Sequence, residues 1–289
     1  MAKATAKASQ GTTVLEFDKE AIALREKEVA KETDEQIIER LGERFEILTE
    51  MTKAVKAGDV RAMIVSGPPG VGKSFGVEQV LSKDDLFNVL GERKPKYEIV
   101  KGAMSALGLY AKLYEFSDAN HVLVFDDCDS VLMDELSLNI LKGALDSSKK
   151  RVIAWNTDSR LLRSEGIPDR FEFKGAAIFI TNIKFEHVRS KKLRDHLDAL
   201  ESRCHYIDLQ MDTEREKILR IKQVIKDCGM LDHYEFEDCV KDELVDFIDT
   251  NKSQLRELSL RMVLKVADLK KSFPATWKAM AKTTCMRRA

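Results

Sequence analysis

The sequence predicts an α/β protein, in which a parallel five-stranded sheet is covered by helices on both faces and followed by a small all-α domain. Three observations carry this reading. Five short apolar runs, RAMIVS and residues 97–100, 121–125, 177–181 and 205–209, have the length and composition of buried strands. Helix-like sequence separates them, the alternation that builds a parallel sheet. Beyond about Met211 the strand signal stops and only helical spacing remains.

Along the chain, residues 1–13 (MAKATAKASQGTT) are small, polar and basic with nothing to bury, and read as a mobile tail. Residues 19–31 are rich in Glu, Lys and Ala with few apolar anchors, so a peripheral helix is expected and residues 1–33 stand outside the main domain. From residue 34 to 57, Ile37, Ile38, Leu41, Phe45, Leu48, Met51 and Val55 recur near helical period, and this helix should lead into the core. RAMIVS then runs into a glycine-rich loop, and FGVEQVL after it has helical spacing. The α/β domain extends over 34–210. Within it, residues 151–173 form an insertion whose segments RVIAWN and RFEF are expected to pair as a β-hairpin around a turn containing Gly166 and Pro168. In residues 211–289, TEREKILRIKQVIKDC, residues 241–248 and SQLRELSLRMVLKVADLKK all read as helices.

A chain of 289 residues has room for one large domain and a smaller one. Apolar residues at 44% and charged residues at 34% fit a globular chain with a somewhat charged surface. Lys and Arg (48) balance Asp and Glu (49), so no global basic field points to nucleic acid or anionic lipid. The five cysteines are scattered, with no CxxC pair and no His at zinc-ligand spacing, which suits reduced thiols in a cytosol-like compartment. No run approaches the roughly 18–20 apolar residues of a membrane helix, and no apolar segment follows the basic N-terminus. A soluble, cytoplasmic protein with no membrane partner is expected.

The run Gly67, Pro68, Pro69, Gly70, Val71, Gly72, Lys73, Ser74, Phe75 contains GxxxxGK[ST] between an apolar strand and a helix. In that context successive backbone N–H groups and the helix N-terminus can surround phosphate oxygens. Lys73 would reach the β and γ phosphates of ATP, and the Ser74 hydroxyl would bind Mg²⁺. Farther on, VLVF ends in Asp126, Asp127, Cys128 and Asp129. A buried strand that terminates in carboxylates delivers them to the sheet edge where phosphates and metal sit. Asp126 is the candidate Mg²⁺ partner, outer-sphere or through water, and Asp127 the candidate for polarising the attacking water.

Together these elements resemble the AAA+ ATPase family, with DDCDS similar to that family's DExDS motif. The resemblance spans roughly residues 35–270 and implies a P-loop αβα sandwich with a helical lid. It departs from the pattern at Asp127, one methylene shorter than the family's glutamate, which implies slow hydrolysis. It further implies that Asn182 in IFITN senses the γ-phosphate or lytic water, and that Arg203 in LESRCHYIDL reaches a neighbouring subunit's ATP as an arginine finger. In SQLRELSLRM it implies that Arg256 touches the γ-phosphate from the lid, with Arg261 as the local competitor.

An arginine finger implies a homo-oligomer, a hexameric ring in this family, acting on a protein or nucleic-acid client. Residues 104–108 correspond to the family's pore loop, with Tyr110 nearby. The basic insertion, through Arg160, Arg163 and Arg170, is compatible with a nucleic-acid backbone or an acidic partner. Two alternatives stand beside the motor: a slow-hydrolysing assembly switch, and a clamp-loader-like or initiator-like DNA-binding ATPase. The minimal module with short tails is similar to ATPases of tailed bacteriophages, which would put it in the host cytoplasm.

Overall fold

The computed structural model describes residues 26–90 and 95–287. The expected tail, residues 1–13, lies outside the described residues, and of the expected helix at 19–31 only residues 26–31 are described, with 26–29 helical. The chain forms two compact units. Of the described residues, one comprises 44–67, 73–90 and 95–209, and the other 26–43, 68–72 and 210–287.

The first unit is built on a five-stranded parallel sheet. Its strands are β1 (Ala62–Ser66), β2 (Tyr97–Lys101), β3 (Val122–Asp126), β6 (Ala176–Thr181) and β7 (His205–Asp208), in the spatial order β2-β3-β6-β1-β7. All five apolar runs of the sequence are strands of this sheet. β1, β3 and β6 are buried at every residue, as strands covered on both faces must be.

Side-chain alternation divides the strand residues between two cores. Ala62, Ile64, Leu123, Phe125, Ala177 and Phe179 face one core, which Leu109, Leu113, Leu138, Leu141 and Leu197 complete from the helices Ala106–Glu115, Glu135–Ala144 and Lys191–Glu201. Met63, Val65, Val122, Val124, Ile178 and Ile180 face the other, with Leu48, Val55, Val77 and Leu81 from the helices Asp34–Ala57 and Lys73–Leu90. The stacked rings of Phe125 and Phe179, 5.1 Å apart, join β3 to β6 at their C-terminal ends.

Two strands in the insertion, β4 (Val152–Ala154) and β5 (Arg170–Glu172), pair antiparallel. They form the expected hairpin, and the connection that turns at Gly166 and Pro168 also holds the helix Arg160–Ser164. Ser159 caps that helix by accepting from the Leu162 N–H. Arg151, just before β4, is buried and donates to the Ala144 and Gly175 carbonyls, so it fastens the insertion's base.

The second unit packs the helices Glu214–Asp227, Asp238–Thr250, Leu260–Ser272 and Trp277–Cys285 around Ile221, Leu231, Leu244, Ile248, Val263, Val266 and Trp277. Thr213 and Glu216 form a reciprocal capping box at the first of these helices. Glu216 is wholly buried. Its carboxylate accepts from Arg40, whose guanidinium also binds Glu32. Burial pushes this carboxyl up, but Arg40 and the Thr213 N–H and hydroxyl together hold it below the ordinary value.

Candidate active site

Register sets the site. Thr181 lies opposite Ser66, and Asp126 opposite Ile180, so β1, β3 and β6 end together at the C-terminal edge of the sheet. Sequence continues directly from these ends into Gly67, Asp127 and Asn182, and the helix Lys73–Leu90 begins at the glycine loop.

Lys73 is buried, and its ammonium donates to the Gly67 carbonyl (2.5 Å) and to Asn182 Oδ1 (2.7 Å). The Asn182 amide in turn donates through Nδ2 to Asp127 Oδ1 (2.9 Å). The Ser74 hydroxyl donates to Asp126 Oδ1 (2.7 Å), and Asp126 is buried. Thus Lys73, Ser74, Asp126, Asp127 and Asn182, widely separated in sequence, form one polar cluster.

The loop is shaped by its glycines. Gly70 has φ +71, and a Cβ at this position would come 2.8 Å from that of Ser259, while the Gly70 carbonyl accepts from the Leu260 N–H at 2.8 Å. Gly67 has φ +153, and a Cβ there would meet the Leu209 backbone at 3.0 Å. Pro68, Pro69, Val71 and Gly72 complete the loop, and Phe75 is 60% exposed. Side chains at these positions would run into Leu209 and Ser259.

Asp127 adopts φ +51, a left-handed conformation that costs a non-glycine residue of this kind about 1 kcal/mol. Its N–H donates to the Ile180 carbonyl, which holds the turn while the carboxylate meets Asn182. The rest of DDCDS is also engaged. Asp129 Oδ1 accepts from the buried Thr181 hydroxyl (3.1 Å). The Ser130 hydroxyl accepts from the Met104 N–H (2.9 Å) and donates to the Met104 carbonyl (3.3 Å). Burial pushes the Cys128 thiol up, against the pull of Ser130, so it stays protonated.

The two predicted arginines each make a local backbone contact. Arg203 Nη1 donates to the Ala199 carbonyl at the end of the helix Lys191–Glu201, and its buried Nε has no hydrogen-bond partner among the described residues. Arg256 Nε donates to the Met286 carbonyl (3.1 Å) and its N–H to the Cys285 carbonyl. It is Arg261 whose Cγ comes within 3.6 Å of a Cβ built on Gly70. Tyr110 is wholly buried, with its hydroxyl on the Pro168 carbonyl and its ring edge-on to Phe171, so it offers no aromatic surface to a client. Arg160, Arg163 and Arg170 are exposed, and Arg163 pairs with Asp158.

Sequence reasoning missed Lys101. It closes β2 directly opposite Asp126, and its ammonium lies 3.5 Å from Asp126 Oδ2. Two apolar runs, one ending in a lysine and the other in an aspartate, were the available signal.

Among the described residues no group of three or more His, Cys, Asp or Glu side chains could hold a metal ion, and no helix is long and apolar enough to cross a membrane. No protein-family model matches the chain. The chain is 34% identical over 256 residues to a protein of Enterobacteria phage T4 described as the uncharacterized 36.7 kDa protein in the nrdC-mobD intergenic region. The match takes in 88% of this chain and 77% of the phage protein. At that identity and coverage, the chain belongs to the family of this phage T4 protein.

Proposed function

We propose that the chain is a Mg²⁺-dependent ATPase of the AAA+ type. It works as a homo-oligomeric ring, hexameric in form, that couples ATP binding and hydrolysis to remodelling or movement of a protein or nucleic-acid client. On this reading the parallel sheet with both faces covered is a P-loop αβα sandwich and the helical unit its lid. The phage relative fits a protein at work in a host cytoplasm.

The observation that carries the proposal is the 2.7 Å hydrogen bond from Ser74 to Asp126, next to the Lys73–Asn182–Asp127 chain. A hydroxyl and a carboxylate are hard oxygen donors, and Mg²⁺ asks for only one or two protein ligands beside water and phosphate. The missing three-residue cage is therefore no obstacle. Bound there, the ion would neutralise charge between the β and γ phosphates. Lys73, whose ammonium meets the Gly67 carbonyl and Asn182 Oδ1, would turn to phosphate. Asn182 would orient water toward Asp127, and Arg203 would serve a neighbouring subunit.

ATP turnover is expected to rise per subunit with protein concentration and to vanish in Lys73→Ala. Turnover in Lys73→Ala equal to that of the parent protein sinks the proposal.

A second reading, an ATP-dependent switch that hydrolyses rarely, is favoured by Asp127 itself. Its side chain is short, its backbone is in the left-handed region, and its carboxylate is taken by Asn182. Asp127→Glu decides between the two: a large gain in turnover favours the switch, and a loss favours a motor built around aspartate.

A further inference from the structure

Asp126 is a buried carboxylate with two partners among the described residues. Oδ1 accepts from Ser74 at 2.7 Å, and Oδ2 faces the Lys101 ammonium at 3.5 Å. The Asp126 side chain is 7% exposed and that of Lys101 is 62% exposed, so a solvated cation reaches over the strand end to neutralise a dry anion. This approach is not accidental to a floppy side chain. Lys101 and Asp126 are register partners in the parallel pair β2–β3, so the two side chains leave the same face of the sheet side by side.

We infer that Lys101 is a competitor for Mg²⁺, holding the metal carboxylate and giving way when the metal–nucleotide complex binds. The inference rests on the ATPase reading above. A divalent cation drawn to Asp126 would stand beside a like charge, and at a few ångströms that repulsion is felt even with water nearby. Lys101 must swing into solvent, which its exposure permits. The cost falls on the metal, so filling the site takes more Mg²⁺ than it would without Lys101.

Displacement also has a path outward. Lys101 leads directly into residues 102–105, and Ser130, four residues beyond Asp126, grips Met104 through both its N–H and its carbonyl. The segment after β2 is thus tied to the DDCDS run at two points, one fixed and one that Mg²⁺ releases.

The test titrates Mg²⁺ into full-length protein with a fluorescent N-methylanthraniloyl ATP and reads the Mg²⁺ concentration at half-maximal binding. Lys101→Met, nearly isosteric and on an exposed side chain, is expected to lower that midpoint about three- to fivefold, the scale of an exposed ion pair. Binding in excess chelator should stay within about twofold of the parent. Lys101→Arg, which keeps the charge, should keep the parent's midpoint.

An unchanged or raised midpoint in Lys101→Met overturns the inference, as does a loss of binding in chelator, which would make Lys101 a phosphate ligand. If the parent protein fails to bind the analogue at saturating Mg²⁺, the ATPase reading itself falls. Binding with an unshifted midpoint removes the competitor alone.

Discussion

Replacing Arg40 with Met exposes how the helical unit tolerates a charge in its interior. Glu216 is wholly buried, and its carboxylate accepts from Arg40 Nη2 at 3.0 Å, the Thr213 N–H at 3.1 Å and the Thr213 hydroxyl at 3.0 Å. Removing the guanidinium takes a cationic donor from a buried anion. Breaking a fully buried pair in this way costs about 3 to 5 kcal/mol, and since the Arg40 side chain is 21% exposed, water can soften the loss to about 2 to 3 kcal/mol. Urea unfolding followed by circular dichroism at about pH 7 measures it.

The pH dependence gives a second reading of the same group. In the parent, Glu216 titrates below its ordinary value of 4.5 when folded, so its contribution is complete above that value and is lost as pH falls below it. In Arg40→Met burial goes unopposed by the guanidinium and the folded pKa moves above the unfolded one. Stability should then rise as pH drops from about 7 to 5, where the parent gains nothing from this group. Arg40→Met/Glu216→Gln should recover most of the loss, since no charge remains to bury. A loss under about 1 kcal/mol, with the parent's pH profile, would refute the reasoning.

Three further outcomes are expected. Gly70→Val should cost about 2 kcal/mol, because a β-branched residue resists the left-handed region and its Cβ meets Ser259, and it should abolish nucleotide binding in the fluorescence assay; retention of both would show that the loop relaxes freely. Asp127→Asn should leave unfolding free energy within about 0.5 kcal/mol, since Asn tolerates positive φ and can accept from Asn182, while turnover falls at least about a hundredfold; a stable, fully active variant removes Asp127 as base. Iodoacetamide at about pH 8 should label the exposed Cys228 and Cys239 rapidly but spare Cys204, whose thiol burial pushes up to about 12; peptide mass spectrometry reads the order, and early Cys204 labelling contradicts it.

Much of the sheet was legible because burial on both faces writes itself as an uninterrupted apolar run, as in AMIVS, VLVFD and AAIFIT. Lys73, Ser74, Asp126, Asp127 and Asn182 were legible for a related reason. Each follows a strand or opens a helix, and parallel strands deliver all such ends to one edge. What stayed hidden depends on which strand lies beside which. Lys101 faces Asp126 only because β2 neighbours β3 in that register, and local sequence does not record it.

The burial of Glu216 was hidden too. TEREKILRIKQ reads as a helix, with Thr213 three residues before Glu216 as a capping-box signature, but only the fold brings Arg40 to Glu216. The helix Arg160–Ser164 was missed because five residues are too few for a period to emerge, leaving only the Ser159 cap as a sign.

The run Asp126 to Ser130 carries a consequence for anyone who would alter this protein. Within five residues it holds Ser74, Asn182, Thr181 and Met104 through four different side chains, and one of those residues sits at positive φ. Substitutions here will not act as independent parts. A change at Asp129 that lets Thr181 drift moves the base of Asn182, and a change at Ser130 shifts the turn from which Asp127 projects. Double variants across the run should therefore deviate from the sum of the singles by the half to several kcal/mol, about 0.5 to 3, typical of residues sharing one network. Engineering this segment means replacing it as a block.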